Sequence, residues 1–176
     1  MIKINGYTLT NKLDPNCYHK ATYLVNNFYD SAYPDLDKVS KKHAISSTMN
    51  GIKYNITKGI YIYMDDELVG IAIYHVGIDN PKNIVIDMID FDPEIRKTYV
   101  NMYLNYDEKK PSQLLTAVIN LISYIGRKNN IESISFGLSK KVNYLSNNFQ
   151  DLGFVENDER FCEHIDMYSK RLVNKK

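Results

Sequence analysis

The chain of 176 residues has no tryptophan, only two cysteines and eight glycines, and almost no excess charge, with 22 Lys and Arg against 21 Asp and Glu. Each shortage excludes a class of protein. Cys17 and Cys162 are too few to frame a chain of this length with disulfides, so both are expected as reduced thiols. A formal charge of +1 creates no bulk field to draw the protein onto nucleic acid or an anionic membrane. Any anion binding must therefore be local, and no nucleic-acid partner is expected. No apolar run is long enough to span a bilayer, and the opening residues lack the basic-then-apolar order of a secretory signal. The expectation is a cytoplasmic protein with no membrane partner. Gly51, Gly59 and Gly70 stand isolated, which leaves no Rossmann or Walker phosphate loop. The pairs Cys17-Tyr-His19 and Cys162-Glu-His164 are spaced too tightly for a structural zinc site, so no metal is expected.

What remains is a single-domain length without repeats, expected to fold as one unit over 1–176. An opening strand is expected at Ile2 to Leu9. Apolar residues at Ala21, Leu24, Val25, Phe28 and Tyr29 predict a helix from Asn16 to Tyr33, stopped by Pro34. A second helix is expected from Leu36 to Met49, before a loop at Asn50 and Gly51. Ile60 to Met64 and Leu68 to Val76, separated by Asp65, Asp66 and Glu67, predict an antiparallel hairpin. Tyr61, Tyr63 and Tyr74 alternate through it and are expected to pack beneath the first helices. After a loop from Gly77 to Asn83 holding Asn80 and Pro81, Ile84 to Phe91 completes a three-stranded meander. His43 and His75 are expected at the surface or at strand ends.

Leu114, Leu115, Val118, Leu121, Ile122 and Ile125 share one face of a helix expected over Lys110 to Lys128, with Pro111 in its first turn and Arg127 and Lys128 at its end. Ile131 to Leu138 reads as a strand, Lys141 to Leu152 as a helix ending at Gly153, and Phe154 to Phe161 with His164 to Leu172 as a final strand pair. Strands, helix, strand, helix, strand, strand build a mixed α/β sheet covered by helices.

The strand "NIVIDMIDF" stops at Pro93 and is followed by Arg96, Lys97 and Thr98. With "DDELVGIAIY" at 65–74, "IDFDPEIRK" at 89–97 and "NYLSNNFQDLGF" at 143–154, the element order resembles the GCN5-related N-acetyltransferases (GNAT) over about residues 58–172. The resemblance implies a mixed, mostly antiparallel sheet flanked by helices on both faces. It also implies acetyl-coenzyme A as co-substrate and acyl transfer to a primary amine of a small molecule or a protein. In that family, backbone NH groups at a helix N-terminus hold the cofactor's pyrophosphate. Arg96 matches the leading arginine of that loop, while Tyr99 and Asn101 stand where the family has glycine. In a second register the loop falls at Lys109, Lys110, Pro111 and Ser112. Ile89, Phe91, Arg96, Lys97, Thr98, Lys110, Ser112 and Asn143 are the cofactor contacts so implied, and the N-terminal segment 16–49 would form the acceptor side.

Two candidates carry the proton transfers. Strand periodicity puts Asp87 on a face with Ile89 and Phe91, opposite Asp90, and a carboxylate among Val85, Ile86 and Met88 is expected above its usual pKa, as suits a base near neutrality. The tyrosine that in many family members protonates the departing thiolate is replaced by Phe149, leaving Tyr144 as the nearby hydroxyl. The resemblance further implies that the strands 84–91 and 132–138 splay apart to admit the pantetheine arm. The competing expectation is a GNAT-like scaffold without catalysis, acting as a binding or regulatory module. An exposed final strand is the edge on which a homodimer would form.

Overall fold

The computed structural model describes residues 1–4, 6–95, 113–139, 146–162 and 165–172. In chain order the elements are β1 (Ile2–Ile4), β2 (Tyr7–Thr10), a 3-10 turn (Pro15–Cys17), α1 (Tyr18–Ala32), α2 (Lys38–Lys53), β3 (Lys58–Met64), β4 (Glu67–Val76) and β5 (Asn83–Phe91), followed by α3 (Gln113–Lys128), β6 (Ser133–Ser139), α4 (Ser146–Asp151), β7 (Val155–Cys162) and β8 (Ile165–Arg171). The strands join one sheet in the order β1-β2-β3-β4-β5-β6-β8-β7. It is the mixed, mostly antiparallel sheet of an α/β fold, with β5 and β6 as the parallel pair. Packing groups the chain into two compact units, Met1–Tyr74 with Met88–Thr98, and His75–Asp87 with Tyr99–Lys176.

In the first unit the expected opening strand is two strands. Gly6 sits at φ +84°, a backbone that L side chains rarely adopt, and this turns Ile2–Ile4 back to pair with Tyr7–Leu9. Asp37 caps α2 by accepting from the amides of Val39 and Ser40, so the helix begins at Lys38. It runs on through Asn50 and Gly51, where a loop was expected, to Lys53. Gly51 is buried, and a Cβ there would come within 2.8 Å of Thr57 Oγ1. Close packing outweighs the low helix propensity of that pair.

The β3–β4 hairpin turns through Asp65 and Asp66, both at positive φ (48° and 67°), as a two-residue turn that keeps the strand twist requires. Ala21, Leu24, Val25 and Met49 of the helices pack with Tyr61, Leu68, Ile71 and Ile73 of the hairpin and Met88 of β5, and Tyr63 packs against the cluster. Ile60, Ile62 and Ala72, which alternate with those positions, are equally buried. The hairpin is thus shielded on both faces, which accounts for its nearly unbroken apolar sequence.

In the second unit α3 buries Leu114, Leu115, Val118, Ile119 and Ile122. Its exit turn places Asn130 at φ +56°, with the Ile131 amide donating to Gly126 O. The short α4 ends at Asp151, and Gly153 at φ +84° follows as the stop expected from the sequence. Here Phe136, Phe149, Phe154 and Tyr168 form an aromatic core, with Phe136 and Phe149 4.1 Å apart and Tyr168 stacked on Phe136. Among the described residues no helix is long and apolar enough to cross a membrane.

Candidate active site

Strand β5 carries the candidate base Asp87, with Ile89 and Phe91 on the same face. Ile84, Ile86, Met88 and Asp90 are buried on one face, while Val85, Asp87, Ile89 and Phe91 occupy the more open one. The parallel ladder to β6 runs from Asn83↔Ser133 to Ile86↔Phe136. β5 continues five residues past that last rung, to Phe91. The foot of the ladder is clamped by side chains: the Asn83 amide donates to Ser135 Oγ at 2.7 Å, and Ser133 Oγ donates to Asn83 Oδ1 at 2.9 Å. The strand pair is thus anchored at one end.

Asp87 is the first residue beyond the last rung. Its Oδ2 lies 2.9 Å from Nδ1 of His75, the penultimate residue of β4. While Asp87 is ionised its carboxylate only accepts, so the ring then carries a proton on Nδ1. Both side chains keep solvent contact, 34% exposed for His75 and 37% for Asp87. Burial nevertheless pushes the Asp87 carboxyl above its usual range, and the His75 hydrogen bond and charge pull it part of the way back. The ionised carboxylate of Asp87 can accept a proton from a group approaching the open face.

At the far end of β5, the Asp92 amide donates to Val69 O at 2.7 Å. Lys20 of α1 forms an ion pair with Asp92 Oδ2, and Asp92 Oδ1 accepts from the Glu94 amide. The stop at Pro93 is therefore a braced turn tied to α1. The Phe91 ring lies against Gly70, where a Cβ would come within 2.7 Å of it.

Of the expected site residues, Asp87, Ile89 and Phe91 share one face of β5. Arg96, Lys97, Thr98, Lys110, Ser112, Asn143 and Tyr144, with Tyr99, Asn101, Lys109 and Pro111, lie outside the described residues. Phe149 is a buried ring of the aromatic core. The residue that sequence reasoning missed is His75, assigned only a strand-end position. Its signal was the meander itself, which returns the chain beside the end of β4, although which residue of β5 meets His75 depends on the register.

The whole chain has close structural counterparts. PaiA N-acetyltransferase from Thermoplasma acidophilum, solved in complex with coenzyme A, superposes with a TM-score of 0.67 at 11% identity, covering 94% of this chain and 98% of that one. Spermidine N-acetyltransferase from Vibrio cholerae, in complex with CoA and spermine, gives 0.63 at 14% identity over 96% and 97%. An acetyltransferase of the GNAT family from Staphylococcus aureus Mu50 gives 0.66 at 10% identity over 95% and 99%. No protein-family model and no curated protein sequence matches the chain. The chain has the fold of the GNAT-family acetyltransferases.

Proposed function

We propose that the protein is an N-acyltransferase that moves the acetyl group of acetyl-coenzyme A onto a primary amine. The observation that carries this reading is the placement of Asp87, a carboxylate of raised pKa one residue beyond the last β5–β6 rung, on the face of β5 shared with Ile89 and Phe91. The fold it shares with proteins solved with coenzyme A supports the choice of co-substrate.

The pantetheine arm pairs along the backbone of Ile89 and Phe91, where β5 has outrun its parallel ladder. Arg96, Lys97, Thr98, Lys110 and Ser112 hold the phosphates by charge and hydrogen bonding, and Asn143 is a further cofactor contact. Segment 16–49 forms the acceptor side of a single 1–176 domain. Asp87 takes the proton of the bound ammonium, directly or through water. The freed nitrogen attacks the thioester carbonyl, and backbone NH groups of β5 stabilise the oxyanion. The C–S bond then breaks, the thiolate is protonated by Tyr144 or by water, since Phe149 has no proton to give, and the nitrogen loses its second proton to water.

The burial of Phe149, a ring with no proton to give, among Phe136 and Phe154 favours one second reading, a non-catalytic GNAT-like scaffold that acts as a binding or regulatory module. Calorimetric titration with acetyl-coenzyme A and coenzyme A, followed by thiol release across a panel of amines, tests both. Binding that is weakened about tenfold by Arg96→Ala, together with thiol release lost in Asp87→Asn, is the expected result. Binding without release for any amine, or no binding at all, would refute the acyltransferase and leave the scaffold.

A further inference from the structure

His75 has no place in the chemistry above, yet it makes the one side-chain hydrogen bond recorded for Asp87 among the described residues. We propose that His75 is a positioning residue for acyl transfer: its Nδ1–H donates to Asp87 Oδ2, holds the carboxylate ionised and turns Oδ1 toward the incoming ammonium. This inference rests on the acyltransferase reading.

Three observations carry it. The first is the 2.9 Å contact, in which an imidazole donor takes one oxygen and leaves the other for the acceptor or a bridging water. The second is the electrostatic setting. Burial alone would drive Asp87 toward its neutral form, in which it could not act as a base, and the histidine opposes that drift. Among the described residues, His75 is the side chain whose charge and hydrogen bond act on the Asp87 carboxyl. Neighbouring β6, with the sequence SISFGLS, brings no titratable side chain, and Asp90 of β5 is on the buried face. The third is access: both side chains are about one-third exposed, so the proton collected by Asp87 can pass to water.

The test compares His75→Asn, which keeps an NH donor near the Nδ1 position, with His75→Phe, which keeps the ring and loses the donor. Two readouts are taken on each: the titration of the Asp87 carboxyl carbon by NMR, and the pH profile of kcat/KM with acetyl-coenzyme A and the best amine. In His75→Phe the Asp87 titration should move up, and the acidic limb of kcat/KM should move with it. His75→Asn should restore both toward the wild type while acetyl-coenzyme A affinity stays unchanged throughout.

An Asp87 titration identical in all three proteins would overturn the proposal, even in an active enzyme. So would a titration that moves while the acidic limb stays fixed. If the titration moves as expected but neither acetyl-coenzyme A binding nor turnover is found with the wild type, the acyltransferase reading fails and takes the catalytic role of His75 with it. The NMR readout separates that failure from the loss of the His75–Asp87 coupling.

Discussion

The ring of Phe91 lies so close to Gly70 that a side chain there would come within 2.7 Å of its Cδ1 atom and 3.2 Å of Ile62 Cδ1. Glycine at 70 thus lets the last residue of β5 settle onto β4. Gly70→Val should push Phe91 from its seat and destabilise the fold by about 1–3 kcal/mol, the usual penalty of overpacking. Urea unfolding measures the loss. On the proposed function, acetyl-coenzyme A affinity falls in the same variant because the strand end that receives the pantetheine arm has moved.

Asp87→Asn should separate stability from activity. The folded pKa of Asp87 is raised by burial, so the native state binds this proton more tightly than the unfolded chain. Its ionisation therefore costs stability above the folded pKa, and the cost disappears as pH falls through that value toward the ordinary 3.8. Asp87→Asn should remove this dependence and be at least as stable as the parent at neutral pH. Its kcat should fall by about 10²–10⁴, the range for a lost general base. Thermal melts from pH 4 to 8 and steady-state rates check the two halves; a stability loss at pH 7 would contradict the first.

The brace between α1 and the end of β5 makes a modest prediction. Lys20 is 40% exposed and Asp92 15%, so their ion pair is partly screened and worth about 0.5–1 kcal/mol. A double-mutant cycle with Lys20→Met and Asp92→Asn should return a coupling of that size, smaller at high salt. A coupling near zero would mean that the pair does not brace the turn.

Phe149 should behave as a core residue. Truncation to Ala removes a ring packed on Phe136 and Phe154 and should cost about 3–5 kcal/mol in chemical denaturation. A cost below about 1 kcal/mol would show that the ring is not part of the aromatic core.

Asn83 holds the anchored end of the β5–β6 pair through two side-chain hydrogen bonds to Ser133 and Ser135. Asn83→Ala leaves both hydroxyls without that partner and should cost about 1–3 kcal/mol. Amide exchange in β6 should speed up more than in β3, whose ladder Asn83 does not touch.

The elements were largely legible because they depend on local pattern. The hairpin at 58–76 announced itself by β-branched and aromatic runs on either side of two aspartates able to adopt positive φ, and the α3 helix by its apolar face. Even the two faces of β5 followed from a period of two. The failures were local as well. The turn at Gly6 lay within a stretch that read as one strand, and the breaker-like Asn50-Gly51 pair stayed helical because Gly51 is packed on Thr57.

The site was half legible. The open-face position of Asp87 on β5 and its raised pKa followed from strand periodicity and its apolar neighbours, since both are properties of the segment itself. His75 was not so legible. That it meets Asp87, that Lys20 reaches Asp92, and that Asn83 ties down both serines of β6 are contacts between residues 12 to 72 positions apart. Periodicity dictates which way a side chain points, and composition dictates whether it can be buried. Which partner it meets is set by strand order and register, and those emerge only when the whole sheet packs at once.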